Sequence, residues 1–395
     1  VNDSKSIDST LSICQAAKET WDVVVLGGGI AGSAIGIHLA RRGLSVLIVE
    51  SKRFPREKVC GGCLNARSQH FLETLGILPE RLPTDAPVIK ELHIRLRNHV
   101  SRWQVPNMLS VRRSTLDIAL LHQALDSGAH CVMETRGQVS QQTSRSPHHH
   151  RIDLIPVDPS CSTKTAVSID ARRVVVAAGL SRSPLAMDKT WDVKIAKGSR
   201  IGCHCLLESD AQEQFSIEMD QVLHMLVGSS GYIGVCRTDG GFLDLAAALD
   251  PVAVRAHGGI APCIQSLLAE TGVRLSSQME HASWEGTPWL TRSSWPAARN
   301  GIFLVGDSLG YIEPFTGEGM SWAMAGSEAL AGILFKSERE EEQWNEWVAR
   351  HRRWSQSIAK WVSRQARRPT WARVLLTGLD WLPMLRKRIL KKAMQ

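Results

Sequence analysis

Residues 22–50, DVVVLGGGIAGSAIGIHLARRGLSVLIVE, set Gly27-x-Gly29-x-x-Gly32 between a β-branched run and an apolar pattern of helical period, and close the next β-like run on an acid, Glu50. Few patterns restrict a fold so tightly. Gly27 lets the chain turn sharply out of its strand, Gly29 lets backbone approach a pyrophosphate, and Gly32 lets the helix lie against the strand. Free N–H groups in the turn that includes Ala31, together with the positive end of the helix dipole, then face phosphate. Glu50, followed by Ser51, stands where a carboxylate accepts both adenosine ribose hydroxyls, and an acid there disfavours a 2′-phosphate. The segment predicts a Rossmann-like α/β domain holding a dinucleotide. By itself it does not separate NAD from FAD.

Residues 302–330, IFLVGDSLGYIEPFTGEGMSWAMAGSEAL, run from an apolar strand through Gly306-Asp307 and a Pro-Gly loop into a small-residue helix beginning near Gly319. This resembles the second flavin-binding motif of the FAD-dependent superfamily that holds geranylgeranyl reductases, aromatic hydroxylases of the p-hydroxybenzoate type and flavin halogenases. The resemblance implies FAD as cofactor, Asp307 on the ribityl chain, and the N–H groups at Gly319, Met320 and Ser321 facing the flavin N1–C2=O edge. A helix N-terminus suits that place, because reduced flavin carries its anion at N1. Gly317, Glu318, Gly319, Ala323, Met324 and Gly326 are in register with the geranylgeranyl reductase version, whereas Ser308-Leu309-Gly310 departs from the Ala-Ala-His of the hydroxylases.

FPREKVCGGCLN (54–65) is similar to the R-x-K-x-Cys-Gly-Gly segment of the geranylgeranyl reductases. By that likeness Arg56, Lys58, Cys60, Gly61 and Gly62 lie along the flavin. Cys60 is the candidate catalytic residue, since Arg56 and Lys58 stand close enough in sequence to activate a thiol; packing against the ring, a Cys60–Cys63 disulfide and a thiol–flavin adduct stay open. No second CxxC accompanies the pair, so no metal is expected. SVRRSTLDIALLHQALDSGA (110–129) resembles the family's R-x-x-L-D helix, with Arg113 near the flavin, and reads equally as an amphipathic helix with a solvated Arg pair. DARRVVVAAGLSRSPL (170–185) resembles the strand that returns to the FAD, ending in Ala178-Gly179. Ala178 stands where hydroxylases carry the Asp that serves FAD and NADPH together.

The resulting expectation is a glutathione reductase type 2-like FAD domain assembled from 21–90, 108–190 and 292–338, interleaved with an antiparallel-sheet substrate domain at 91–107 and 191–291. A polar extension (1–20) precedes it and a Trp-rich basic helical region (339–395) follows. GYIGVCRTDGGFLDLAAAL is similar to the family's strand-turn-strand over the flavin, with Asp239-Gly240-Gly241 as hairpin turn and Tyr232 facing either way. His148–His150 fall in a polar loop.

With 395 residues, 43% of them hydrophobic, the chain can bury a large core. Nine scattered cysteines, a polar N-terminus without an apolar core and the lack of a long apolar run point to a reducing cytoplasm and no membrane span. The net charge of +8 does not imply nucleic acid, because residues 350–395 hold 13 Lys or Arg against one acid. Trp347, Trp354 and Trp361 recur on one helix face in that region, which suits either a membrane surface, at the inner face, or a helix pair packed on the body.

The leading expectation is hydride transfer between flavin N5 and a carbon–carbon bond of an apolar, isoprenoid- or polyketide-like substrate, with NAD(P)H or a reduced carrier protein as electron donor. The alternative is a class A monooxygenase acting on a phenol or polyketide through a C4a-hydroperoxide. A halogenase is disfavoured by the missing Trp-x-Trp-x-Ile-Pro signature, and a non-catalytic lipid-binding protein would use the same fold.

Overall fold

The computed structural model describes residues 6–140, 149–158, 166–185, 191–208, 216–273, 282–313 and 318–351. Its centre is the strand Thr20–Leu26, paired in parallel with Val46–Val49 on one side and Val167–Val176 on the other. The sheet continues to His130–Val132 at one edge, and through Ile302–Leu304 to Ala298–Arg299 at the other. The central strands divide their apolar residues between two cores. Val23, Val25, Val46, Ile48, Val175 and Phe303 pack under the helices Ile30–Ala40, Arg113–Asp126 and Gly319–Lys336. Val24, Leu26, Leu47, Val49, Val174 and Val176 pack on the opposite face with Ile152 and Leu154 of the strand His150–Pro156. Burial on both faces explains why the strands read as unbroken apolar runs.

Close packing at the centre depends on two glycines. A Cβ on Gly32 would fall 1.8 Å from the Gly27 carbonyl oxygen, and one on Gly36 would fall 2.9 Å from Ile48 Cδ1.

The second sheet has eight strands in the order Glu285–Trp289, Ile201–Leu207, Leu243–Leu249, Gly231–Arg237, Val222–Gly228, Val88–Leu96, His99–Ser110 and Cys63–Leu64. All neighbours are antiparallel except Val222–Gly228 with Val88–Leu96. Cys203, Cys205, Ile233, Val235 and Leu245 face the helix Ile260–Glu270, while Leu92, Met225, Tyr232, Cys236 and Ala248 form a separate core toward the first sheet. This sheet takes residues 88–110 and Cys63–Leu64 as well as the middle of the chain, because the hairpin Val88–Ser110 pairs along its whole length and its outer strand then needs a partner. A small third sheet joins Asp192–Ile195, Arg292–Trp295 and Gly310–Tyr311.

Some local expectations are corrected. His150 opens a strand instead of lying in a loop, paired with Ala171, while His148 lies outside the described residues. The 239–241 turn does more than reverse the chain: buried Asp239 accepts the Arg112 backbone N–H at 2.6 Å and the Thr115 hydroxyl at 2.7 Å, fastening the start of the Arg113–Asp126 helix. Residues 340–351 are helical. There Trp344 is fully buried, donates its indole N–H to the Leu304 carbonyl at 3.1 Å and stacks on Trp347 at 5.0 Å. Trp354, Trp361 and the rest of the basic region lie outside the described residues. Among the described residues no helix is long and apolar enough to cross a membrane.

Candidate active site

The glycine turn opens into a cavity of about 510 Å³ between the two large sheets. Gly27 adopts φ +112, and a Cβ there would lie 2.6 Å from the Ala177 carbonyl oxygen, so no other residue fits. Gly29 caps the Ile30–Ala40 helix without a side-chain hydrogen bond, leaving the first-turn N–H groups directed at the cavity. Glu50 is buried at the cavity's edge, where Oε2 accepts from Gly28 N–H and Oε1 from Lys52 N–H, both at 2.8 Å. Ser51 Oγ donates to Oε1 at 3.3 Å.

Arg56, Asp117 and Arg113 close in beside Gly29, and Lys58 beside Gly179. Arg113 is buried and forks onto Asp117 with bonds of 3.0 and 2.9 Å. Burial alone would lower its pKa, but Asp117 and Cys60 outweigh that and hold it above the ordinary value. Arg56 lies 3.3 Å from Asp117 and 4.0 Å from Glu50, with its guanidinium 4.7 Å over the Phe54 ring. Lys58 lies 3.6 Å from Asp307. Carboxylates therefore claim both cations that the sequence set beside Cys60. The cation that touches the Cys60 thiol is Arg113, which is neither solvated nor paired with Arg112.

Cys60 and Cys63 are both free thiols. Cys63 turns to Cys236, with its sulfur 3.9 Å away; that contact and burial raise the Cys63 pKa. Gly62, at φ +56, passes so close to the Val111 carbonyl that a Cβ would come within 2.8 Å of it. On the other wall, Gly306 would place a Cβ 2.8 Å from Ala31, and the Gly319–Lys336 helix begins without a side-chain cap, with Gly319 and Met320 on the cavity surface. Burial raises the pKa of Glu318 at that N-terminus.

Of the sequence-predicted site, all but Gly32 and Gly317 line this one cavity, Ala178 and Gly179 included. Gly32 packs behind the turn, and Gly317 lies outside the described residues. The arrangement fits FAD: a buried acid at one end, two uncapped helix N-termini facing the same space, and backbone at Gly61 and Gly62 open to close approach.

Sequence reasoning missed the far wall. Arg200 donates to Glu313 at 2.7 Å, both nearly buried, and its guanidinium sits 5.5 Å from the Tyr232 ring, so Tyr232 faces the cavity. His204 and Asp244 form a second buried pair, 3.4 Å apart. Leu92, Met108, Leu223, Met225 and Leu290 make the remaining wall apolar. Only Asp244 left a trace in the sequence, as an acid inside the apolar run FLDLAAAL.

Residues 22–58 match the family "FAD dependent oxidoreductase". The flavin-dependent brominase Bmp2 superposes with a TM-score of 0.72 over 95% of this chain and 93% of that one, at 16% identity, a likeness of fold. The chain is 23% identical over 340 residues to conditioned medium factor receptor 1 of Dictyostelium discoideum, covering 82% of this chain and 64% of that protein. It is 30% identical over 197 residues to menaquinone reductase of Mycolicibacterium smegmatis, covering 46% of this chain and 43% of that protein. Both matches span less than two thirds of the relative. Residues 22–58 thus belong to an FAD-dependent oxidoreductase domain, whose cofactor is FAD.

Proposed function

We propose that the enzyme moves hydride between flavin N5 and a carbon–carbon bond of an apolar, prenylated substrate. The observation that carries this reading is the apolar wall of Leu92, Met108, Leu223, Met225 and Leu290 enclosing the same cavity as the Cys60-Gly61-Gly62 segment. The similarity to a menaquinone reductase supports a prenylated substrate.

FAD, when bound, supplies or accepts the hydride. The chain does the rest. Glu50 would hold the adenosine, the N–H groups after Gly29 the pyrophosphate, and Asp307, steadied by Lys58, the ribityl chain. The helix start at Gly319 would stabilise negative charge on the flavin edge, and Cys60, lining the same cavity, would flank the ring. The apolar wall keeps water from the reacting carbons. NAD(P)H or a reduced carrier protein is the proposed donor, and the basic region 350–395 is the proposed contact with the membrane that stores an apolar substrate.

The test is anaerobic reduction of the flavin with NADH, NADPH or ferredoxin, then addition of menaquinone or a geranylgeranyl lipid. Prompt reoxidation with a saturated product is expected. Reoxidation only on admission of O₂, with hydroxylation of an added phenol, overturns the reading.

A further inference from the structure

The structure places an ionisable chain across the substrate sheet. In the ladder, His204 stands opposite Ala246 on one neighbouring strand and opposite Glu285 on the other. Asp244, Ala246 and Ala248 alternate onto the cavity side, so Glu285, His204 and Asp244 share one face. The outer member, Glu285, is exposed, whereas His204 is 3% exposed and Asp244 2%. A Cβ on Gly62 would come within 3.3 Å of Asp244 Oδ2, so the carboxyl meets the cavity beside the Gly61-Gly62 backbone, while its Oδ1 faces His204 Nε2.

An acid in the middle of an apolar strand is costly to keep ionised, and stability gives no reason to place one there. Burial raises the pKa of Asp244, with Glu57 and Asp239 adding to it and His204 opposing. Burial would lower His204, but Asp244, Glu57 and Glu285 outweigh it and raise it. Among the described residues Cys63, Cys205 and Cys236, the last directly opposite Asp244 in the ladder, are further titratable neighbours, and the Cys63 and Cys205 thiols are pushed up. Asp239 is already occupied by Arg112 and Thr115.

We propose that Asp244 is the acid that protonates the substrate carbon, and that His204 and Glu285 return the proton from solvent. This rests on the hydride-transfer reading above. One alkene carbon takes hydride, two electrons with one proton, from reduced flavin. The π bond breaks, and the other carbon takes the Asp244 proton, so two C–H bonds form and FAD is left oxidised. Asp244, now a carboxylate, takes the Nε2 proton of the His204 imidazolium, and His204 is reprotonated at the Glu285 rim. In the oxidative direction the same groups carry the proton out.

Infrared spectroscopy of the FAD-loaded protein tests the acid without turnover. A protonated-carboxyl band persisting above the ordinary aspartate range is expected, lost in Asp244→Asn, retained in Glu318→Gln, and shifted in its pH dependence by His204→Gln. Anaerobic single turnover with menaquinone or a geranylgeranyl lipid should then slow about 10²-fold in Asp244→Asn, as for loss of a positioned general acid, and His204→Gln should change the pH profile. No Asp244-dependent band above the ordinary aspartate range overturns the relay, and so does a wild-type rate and pH profile in Asp244→Asn with turnover abolished in Cys60→Ser, which assigns the proton to Cys60. A wild-type enzyme that shows the band yet is reoxidised by neither lipid overturns the substrate reading instead.

Discussion

The Cys63 sulfur lies 3.9 Å from that of Cys236, so the second thiol of the CxxC segment faces the substrate sheet and not its sequence neighbour. Cys63 and Cys236 are buried, Cys60 is half-buried on the cavity wall and Cys14 is exposed. Brief alkylation of the native protein should therefore modify Cys14 and Cys60 well before Cys63 and Cys236, as read by peptide mass mapping. Equal labelling of Cys60 and Cys63 would contradict the geometry.

The glycines of the fingerprint should separate in their effects. A Cβ at Gly29 meets only side-chain ends in ordinary contact, those of Arg56, Asp117 and Arg113 at 3.4, 3.9 and 4.0 Å, whereas one at Gly32 would fall 1.8 Å from the Gly27 backbone oxygen. Gly29→Val should leave the apoprotein folded with its urea midpoint little changed but without FAD. Gly32→Ala should lose both, with a stability cost of at least about 2 kcal/mol from forced backbone displacement. Full flavin occupancy in Gly29→Val would refute the assignment of the phosphate site.

Arg113 and Asp117 are 7% and 1% exposed at their side chains. Removing the guanidinium leaves a buried carboxylate held only by Arg56, so Arg113→Ala should cost about 3–5 kcal/mol. Arg113→Lys keeps the charge but not the fork and should fall between. Denaturant midpoints of the apoprotein check both, independently of any loss of FAD.

How much of this was readable in the sequence depends on distance along the chain. The glycine turn, its flanking strand and helix and Glu50 are contiguous, and each is where local sequence places it. Gly306-Asp307 and the helix from Gly319 are equally local. Arg113–Asp117 is an i,i+4 pair that helical spacing alone would have flagged. Arg200–Glu313 is separated by 113 residues and was invisible, because only the third sheet and the substrate sheet together bring the two side chains to one wall. Cys60 lies in the segment the sequence marked, but its cation is set by which carboxylates Arg56 and Lys58 find, a tertiary matter.

Stability should fall on acidification through buried histidines. Burial lowers the pKa of His224 from 6.5 to about 4, with His93 and Arg95 adding and the Glu218 carbonyl opposing. Burial, Arg42 and Arg41 lower His38 to about 4. Since the unfolded chain takes these protons first, the stability is complete above pH 6.5 and is lost as pH falls toward 4. For His224 the loss is on the order of 3 kcal/mol. Thermal midpoints between neutral pH and pH 4 should show the decline, and His224→Gln should flatten it.

Vesicle flotation tests the basic region. Thirteen Lys or Arg lie between residues 350 and 395, and each can add about 1 kcal/mol near an anionic surface. Binding to anionic vesicles, weakened by salt and by deletion from Pro369 onward, is expected. Full recovery in the unbound fraction at low salt would remove the membrane from the proposed function.

Cys63 and Leu64 follow the cavity-lining Gly61 and Gly62 directly in the chain yet hydrogen-bond as the edge strand of the second sheet, opposite Ser110 and Leu109. The segment is thus a tether between the two halves. A hinge that swung the substrate sheet away would have to tear this edge or drag Gly61 and Gly62 with it, so widening the cavity and repositioning the Gly61-Gly62 backbone on its wall would be one motion.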